Sequence, residues 1–202
     1  MFTVLRYNKR TEKKTPFDRG KKMERDNRNP AFIRCRAEHF DAVTAMYERA
    51  VAELERTVNY PKWNKDHPGR DYVKEAIAKG EQFACVADGE ILGAVVLNED
   101  PEGNYAIGRW SRDLPDGAYL VVHILAVDPA WKGRGIGGLL VDGAVAYARE
   151  RGCRAIRLDI VPDNLPAKRL YTSRGFVSAG QMDVRPELTE IPIFELYELN
   201  LR

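Results

Sequence analysis

The segment Lys132-Gly133-Arg134-Gly135-Ile136-Gly137-Gly138 places four glycines and two cations within seven residues, a composition suited to holding phosphate. Glycines let the backbone approach an anion closely and enter left-handed conformations. The first amide hydrogens of a helix starting here would have no intrahelical acceptor, and its dipole would favour negative charge. Upstream lies His123, one of three histidines in the chain; its side-chain type titrates near neutrality and can serve as a general base. Asp159, Glu99 and Asp100 are weaker candidates for the same task.

These residues need a frame. Leu120 to Val127 is an apolar, β-branched run dense enough for a strand buried on both faces. Asp128-Pro129 stops it, since proline lacks an amide hydrogen and restrains its predecessor. Beyond the glycines, Ile136, Leu139, Leu140, Ala144 and Ala148 recur at helical spacing, and Gly152 supplies a stop. The result is strand, glycine-rich loop, helix. Three readings of the loop follow. The glycines could serve a tight turn only. Gly133, Gly135 and Gly138 also satisfy G-x-G-x-x-G with Asp159 roughly 20 residues on, as in a dinucleotide fold. Against that, Asp128 to Lys132 separate strand from glycines, and too little chain remains for further βαβ units. The third reading is a cradle for another phosphate-bearing cofactor.

The run Lys132-Gly133-Arg134-Gly135-Ile136-Gly137 resembles motif A of the GNAT superfamily of N-acetyltransferases, with lysine in place of the usual first arginine or glutamine. Asn164-Leu165-Pro166-Ala167-Lys168-Arg169-Leu170-Tyr171-Thr172-Ser173-Arg174-Gly175-Phe176 resembles its motif B. The likeness extends from about Phe32 to the C-terminus, closest to the small stand-alone bacterial-type members. It implies an α/β GNAT (acyl-CoA N-acyltransferase) fold: a mixed central sheet of six to seven strands with helices on both faces. It implies acetyl-CoA as co-substrate, with Lys132, Gly133, Arg134, Gly135, Ile136, Gly137 and Gly138 at the pyrophosphate. A bulge or splay would let Leu125, Ala126 and Val127 hold the pantetheine arm like an added strand. Asn164 would bond the cofactor or order its loop, and Tyr171 would protonate the leaving thiolate. His123 is the first candidate for the base, although a bulged strand leaves the face it occupies open. The implied activity is acetyl transfer to a primary amine, with a small molecule favoured over a peptide. Trp63 and Trp110, on aromatic loops with Tyr105, are expected to line the acceptor pocket. A rival is a CoA-sensing module of the same fold without turnover.

Composition sets the outer bounds. Of 202 residues, 44% are hydrophobic and 31% charged, typical of a soluble globular protein. No apolar run reaches the roughly 18 residues a membrane span requires, and the first residues do not resemble a signal peptide. Cys35, Cys85 and Cys153 lack metal-ligand spacing, so a reducing, cytoplasmic setting with no metal is expected. Ten basic and four acidic residues fall between Met1 and Arg28, which leaves −4 for the rest of a chain of net charge +2. Residues 1–29 are therefore expected to be a basic, disordered extension of a domain at 30–202. Nucleic-acid binding is not expected beyond that tail, while late strands in the superfamily often support a homodimer.

The remaining elements read as a strand at 31–36, helices at 41–56 and 72–78, a hairpin of 82–87 and 90–97 about Asp88-Gly89, and a polar loop at 98–117. After the central strand and helix come a strand at 155–160, a helix at 167–173 and strands at 177–184 and 193–199.

Overall fold

A computed structural model describes residues 29–202; the expected basic extension lies almost wholly outside the described residues. The elements run β1 (Ala31–Arg34), α1 (Phe40–Arg56), α2 (Arg70–Lys79), β2 (Gln82–Ala87), β3 (Glu90–Asn98), β4 (Tyr119–Val127), α3 (Ile136–Glu150), β5 (Ala155–Ile160), α4 (Leu165–Thr172), β6 (Val177–Met182) and β7 (Phe194–Asn200). They occur in the expected order. The largest differences in extent are two residues: β1 and β6 each end two residues early, and α2 and α4 each begin two residues early, at Arg70 and Leu165.

Local chemistry accounts for several boundaries. Asp88 and Gly89 both have positive φ, 51° and 80°, the handedness of a two-residue hairpin turn. Helix α2 ends on Gly80 at φ 71°, whose amide returns to the last turn. Helix α4 starts at Asn164, whose side chain accepts the Ala167 amide, with Pro166 in the first turn.

All seven strands form one sheet in the order β1-β2-β3-β4-β5-β7-β6. β4 and β5 are parallel, and every other pair is antiparallel. One face carries α3 and α4, packed through Ile136, Leu140, Val141, Ala144 and Tyr171 onto Leu92, Val95, Leu120, Val122, Ile156 and Leu158. The other face is covered in two parts. Helices α1 and α2 pack Val43, Met46, Tyr47 and Val73 onto Ala84, Ile91, Ala94 and Ala126. Tyr105 and Leu114 of the 99–118 loop pack with Tyr119, Val121, Phe194 and Leu196 beyond them. Cys35, Cys85 and Cys153 are buried free thiols within this packing.

The 99–118 loop is locked down by a buried ion pair. The Arg157 guanidinium donates to Glu198 Oε1 at 3.1 and 3.0 Å and lies 4.2 Å from the ring centres of both Trp110 and Tyr119. Ser111 donates its amide and hydroxyl to the second Glu198 oxygen. Both charged side chains are 4% exposed, so losing one partner strands the other in a low-dielectric interior. Glu198→Ala should cost about 3–5 kcal/mol of unfolding free energy. Urea denaturation followed by tryptophan fluorescence checks this, and a cost under about 1 kcal/mol, the range of an exposed pair, would contradict it.

Candidate active site

The central strand does not run evenly. Against β3, Ala94 pairs with Ala126 and Val96 with His123, so β4 holds one extra residue in that interval. The bulge falls at Ile124, where φ is 41°, a strained value for a β-branched residue. On the other side, β4 pairs with β5 only through Tyr119, Leu120 and Val121, whereas β5 remains paired with β7 to Ile160. The two parallel strands separate beyond Val121 and leave the upper half of β4 as an open edge. The Asp128 amide bonds to Leu92 on β3. Main-chain groups alternate along a strand, so those of Val127 and Leu125 point the other way, into the gap.

The glycine loop closes the top of this gap. Asp128 is buried, accepts the Ala130 amide at 2.9 Å and is clamped by Arg49 at 2.7 Å. Pro129–Trp131 forms one 3₁₀ turn, and Gly133 and Gly135 then take φ 76° and 84°. Arg134 lies over the Trp131 ring at 4.9 Å. Helix α3 begins at Ile136, and its first bond through Gly135 is the Leu139 amide to the Gly135 carbonyl. Among the described residues, no acceptor takes the amides of Gly133, Gly135, Ile136, Gly137 and Gly138. A Cβ on Gly133 or Gly135 would meet nothing within 4 Å. Five donors without an acceptor, at a turn open around Gly133 and Gly135, suit a diphosphate. Gly138 also has a packing role, because the Arg174 side chain occupies the space where its Cβ would project and bonds its carbonyl at 3.3 Å. Lys132 is exposed at the loop's edge, and the Asn164 carbonyl oxygen is committed to capping α4.

The bulge decides which way His123 faces. Tyr119 and Val121 lie on the face of the 99–118 loop, Ile124 and Ala126 on that of α1, and Leu125 and Val127 on that of α3. His123 shares the parity of Val121, on the side opposite the glycine-loop helix. Its Nε2 meets two acceptors at 2.9 Å, Asn98 Oδ1 and the Asp100 carbonyl. Nε2 therefore carries the proton, and Nδ1 presents a lone pair. Burial pushes this imidazole below its ordinary range, partly offset by Glu102 and Asp159. Tyr171 is buried against Phe176, and burial raises its pKa well above 10. Its phenol stays protonated at neutral pH. Asp159, on the part of β5 that has left β4, raises the pKa of both His123 and Tyr171, so one carboxylate lies within electrostatic reach of both candidates. Asp159 itself accepts from Tyr105 at 2.6 Å and Arg185 at 3.0 Å, a role as structural anion rather than free base.

Residues 43–176 match the Acetyltransferase (GNAT) family. The chain belongs to that family. It is 33% identical over 81 residues to mycothiol acetyltransferase of Beutenbergia cavernae, covering 40% of this chain and 27% of that one. Over 62 residues it is 47% identical to L-2,4-diaminobutyric acid acetyltransferase of Streptomyces coelicolor, covering 30% and 35% respectively. Such matches span about a quarter to a half of the curated relatives' length. Among solved structures, a GNAT-family acetyltransferase from Streptococcus agalactiae superposes with TM-score 0.72 at 20% identity, over 86% of this chain and 96% of that chain. A putative acetyltransferase from Salmonella typhimurium, solved with its cofactor acetyl-CoA, gives TM-score 0.59 at 19% identity over 86% and 94%. The GNAT fold, with its mixed sheet and helices on both faces, is thus shared with both.

The two tryptophans expected to wall the acceptor pocket of this GNAT domain part company. Trp63 packs beside α1, edge-on to Tyr47 and His67, and Asn59 fixes its backbone. Trp110 sits in the cluster beneath the 99–118 loop, with its indole donating to the Tyr105 carbonyl and its face on Arg157. Glu99 is bound to Arg151 at 2.6 Å. Glu102 escapes the sequence reading altogether: it accepts the Tyr72 hydroxyl at 2.8 Å and lies 3.8 Å from His123 Nδ1. It sits in a polar loop without periodicity, and only folding brings it there. Among the described residues no helix is long and apolar enough to cross a membrane, and no group of three or more His, Cys, Asp or Glu could hold a metal.

Gly135 holds a left-handed conformation that costs an L-residue about 1–2 kcal/mol. Gly135→Ala should destabilise the fold by about that amount and weaken CoA binding. Calorimetric titration and thermal melts check both, and an unchanged affinity would remove this turn from the cradle.

Proposed function

We propose that this chain is an acetyl-CoA-dependent N-acetyltransferase acting on the primary amine of a small molecule, by direct attack on the thioester. The observation that carries the reading is the open edge of β4 leading up to five unengaged amides at the start of α3. Those donors and the α3 dipole would take the pyrophosphate without a metal. The main chain of Leu125 and Val127 would pair with the pantetheine arm. When bound, acetyl-CoA supplies an activated acetyl group and a thiolate leaving group.

The chain's own side chains supply the proton traffic. An alkylamine is protonated at pH 7, so it must lose a proton before it can attack. His123 Nδ1, with the opposite ring nitrogen spent on Asp100 and Asn98, would receive it. Tyr171, on the other side of the gap, would donate its phenolic proton to the departing sulfur. Burial makes the phenol a reluctant acid, which keeps the proton in place until charge builds on sulfur. The small-molecule preference follows from the aromatic wall of Trp63, His67 and Tyr72.

Tyr171→Phe should lower kcat by about 10²–10⁴-fold, the range for one acid–base group, with CoA affinity kept. Thiol release against calorimetric binding checks this, and unchanged turnover would take Tyr171 out of the mechanism. His123 serves as a base only when neutral, and burial lowers its pKa. The acid limb of kcat/KM should therefore fall below the ordinary histidine value of about 6.5 and disappear in His123→Ala. A variant with the same limb and rate would assign the base elsewhere. Cofactor binding without thiol release for any amine would favour a CoA-sensing module.

A further inference from the structure

Resting on the acetyl-transfer reading, we propose that Glu102 is the acceptor-docking carboxylate of this site, and that its acceptors are alkylamines that arrive protonated rather than arylamines. The loop from Asn98 to Glu102 is folded around one imidazole. Asn98 Oδ1 accepts the Asp100 amide at 3.1 Å and faces His123 Nε2, whose proton goes to the Asp100 carbonyl as well. The Asp100 side chain then accepts the Glu102 amide at 2.9 Å and holds Glu102 at φ 51°. A left-handed glutamate stores strain, and three local bonds maintain it. The outcome is placement of the carboxylate opposite the ring nitrogen that Asn98 and Asp100 leave unoccupied.

The two carboxylate oxygens have different surroundings. Oε1 accepts the Tyr72 hydroxyl at 2.8 Å, while Oε2 stands 3.8 Å from His123 Nδ1. That distance is too long for a hydrogen bond. It is short enough for one ammonium nitrogen to touch both, donating one N–H to Oε2 and another to Nδ1. The proton given to Nδ1 leaves a neutral amine with its lone pair, still tethered through Oε2, and the new imidazolium faces a carboxylate. The Glu102 side chain is 33% exposed, so an incoming amine can reach it.

The surroundings fit a cation with an apolar substituent. Among the charged groups that act on His123, Glu102 and Asp159 are opposed by Arg185, and Arg185 is held by Asp159. Burial keeps both His67 and His123 below the ordinary histidine range, so neither adds a positive charge at neutral pH. Edge-on ring contacts run from Trp63 to His67 at 6.3 Å and on to Tyr72 at 5.9 Å, and Tyr72 bonds Glu102. An aromatic wall thus starts at the carboxylate, where the carbon skeleton of a docked alkylammonium would lie.

The test uses the full chain with acetyl-CoA at pH 7.5, phenethylamine as protonated acceptor and 4-methoxyaniline as its neutral counterpart, read by thiol release. The wild type should prefer phenethylamine in kcat/KM. Glu102→Gln keeps the size and the acceptor for Tyr72 but removes the charge. It should raise KM for phenethylamine by about 10- to 100-fold, the worth of one hydrogen bond to a charged group, with much smaller losses for the arylamine and unchanged CoA binding by calorimetry. Glu102→Asp should recover part of the loss. Equal losses for both amines, an unchanged KM, or a wild-type preference for the arylamine would overturn the assignment to Glu102 while leaving acetyl transfer intact. Tight CoA binding with no thiol release for either amine would instead overturn the acetyl-transfer reading, and this inference with it.

Discussion

The separation of β4 from β5 beyond Val121 is the constraint on which the rest of the structure depends. Two parallel strands that stay paired bury their main-chain groups in each other, leaving nothing for a ligand. Here the bulge at Ile124 bends β4 away, at the cost of a left-handed β-branched residue. Strain of this kind persists only where the surroundings over-determine it. The determinants are visible: Ile124 packs against the α1 side, Leu125 and Val127 against the α3 side, and Gly93 offers the bare Cα that lets Ala126, Ile136 and Leu140 close in.

One extra residue has two consequences that are usually discussed separately. It turns β4 into an edge strand over its upper half, able to pair with an extended ligand arm, and it exchanges the faces of every side chain beyond it. His123, just before it, keeps the face of Val121, while Leu125 and Val127 beyond it turn to the face of the helix that presents the amide cradle. Donor and acceptor substrates would approach the gap from opposite faces, with Asp159 near enough to both to influence His123 and Tyr171. The electrostatics follow the same division. The cradle has backbone donors and cations, and on the opposite side Glu102 and Asp159 act on His123 against Arg185, which Asp159 itself holds.

Charge elsewhere is spent on rigidity. Arg157 between two aromatic rings and Glu198 with its Ser111 donors anchor the 99–118 loop to β5 and β7, and Lys168 reaches the buried Glu195 to hold α4 on β7. A loop of twenty residues without strands can position Glu102 only because its far half is pinned in this way. Trp110, chemically suited to a binding wall, is used for that anchoring. A side chain's type told what it could do, and the packing of Arg157 beneath it told what it does.

What the sequence determined by itself was everything encoded over short range. Strand, Asp128-Pro129, glycines and helix follow one another between Tyr119 and Glu150; the hairpin is set by the adjacent Asp88 and Gly89, and the cap at Asn164 by a bond to the amide three positions on. Their boundaries agree with the structure to within about two residues, because local sterics and hydrogen bonding fix them. Tertiary structure alone decided the face of His123, the partnership of Glu102 with Tyr72 thirty residues away, and the commitment of Asp159 to Tyr105 and Arg185. Each depends on a register or a loop closure, and a one-residue change in strand pairing reverses which face a side chain occupies. Such information resides in the pairing between strands and in no single segment of the chain.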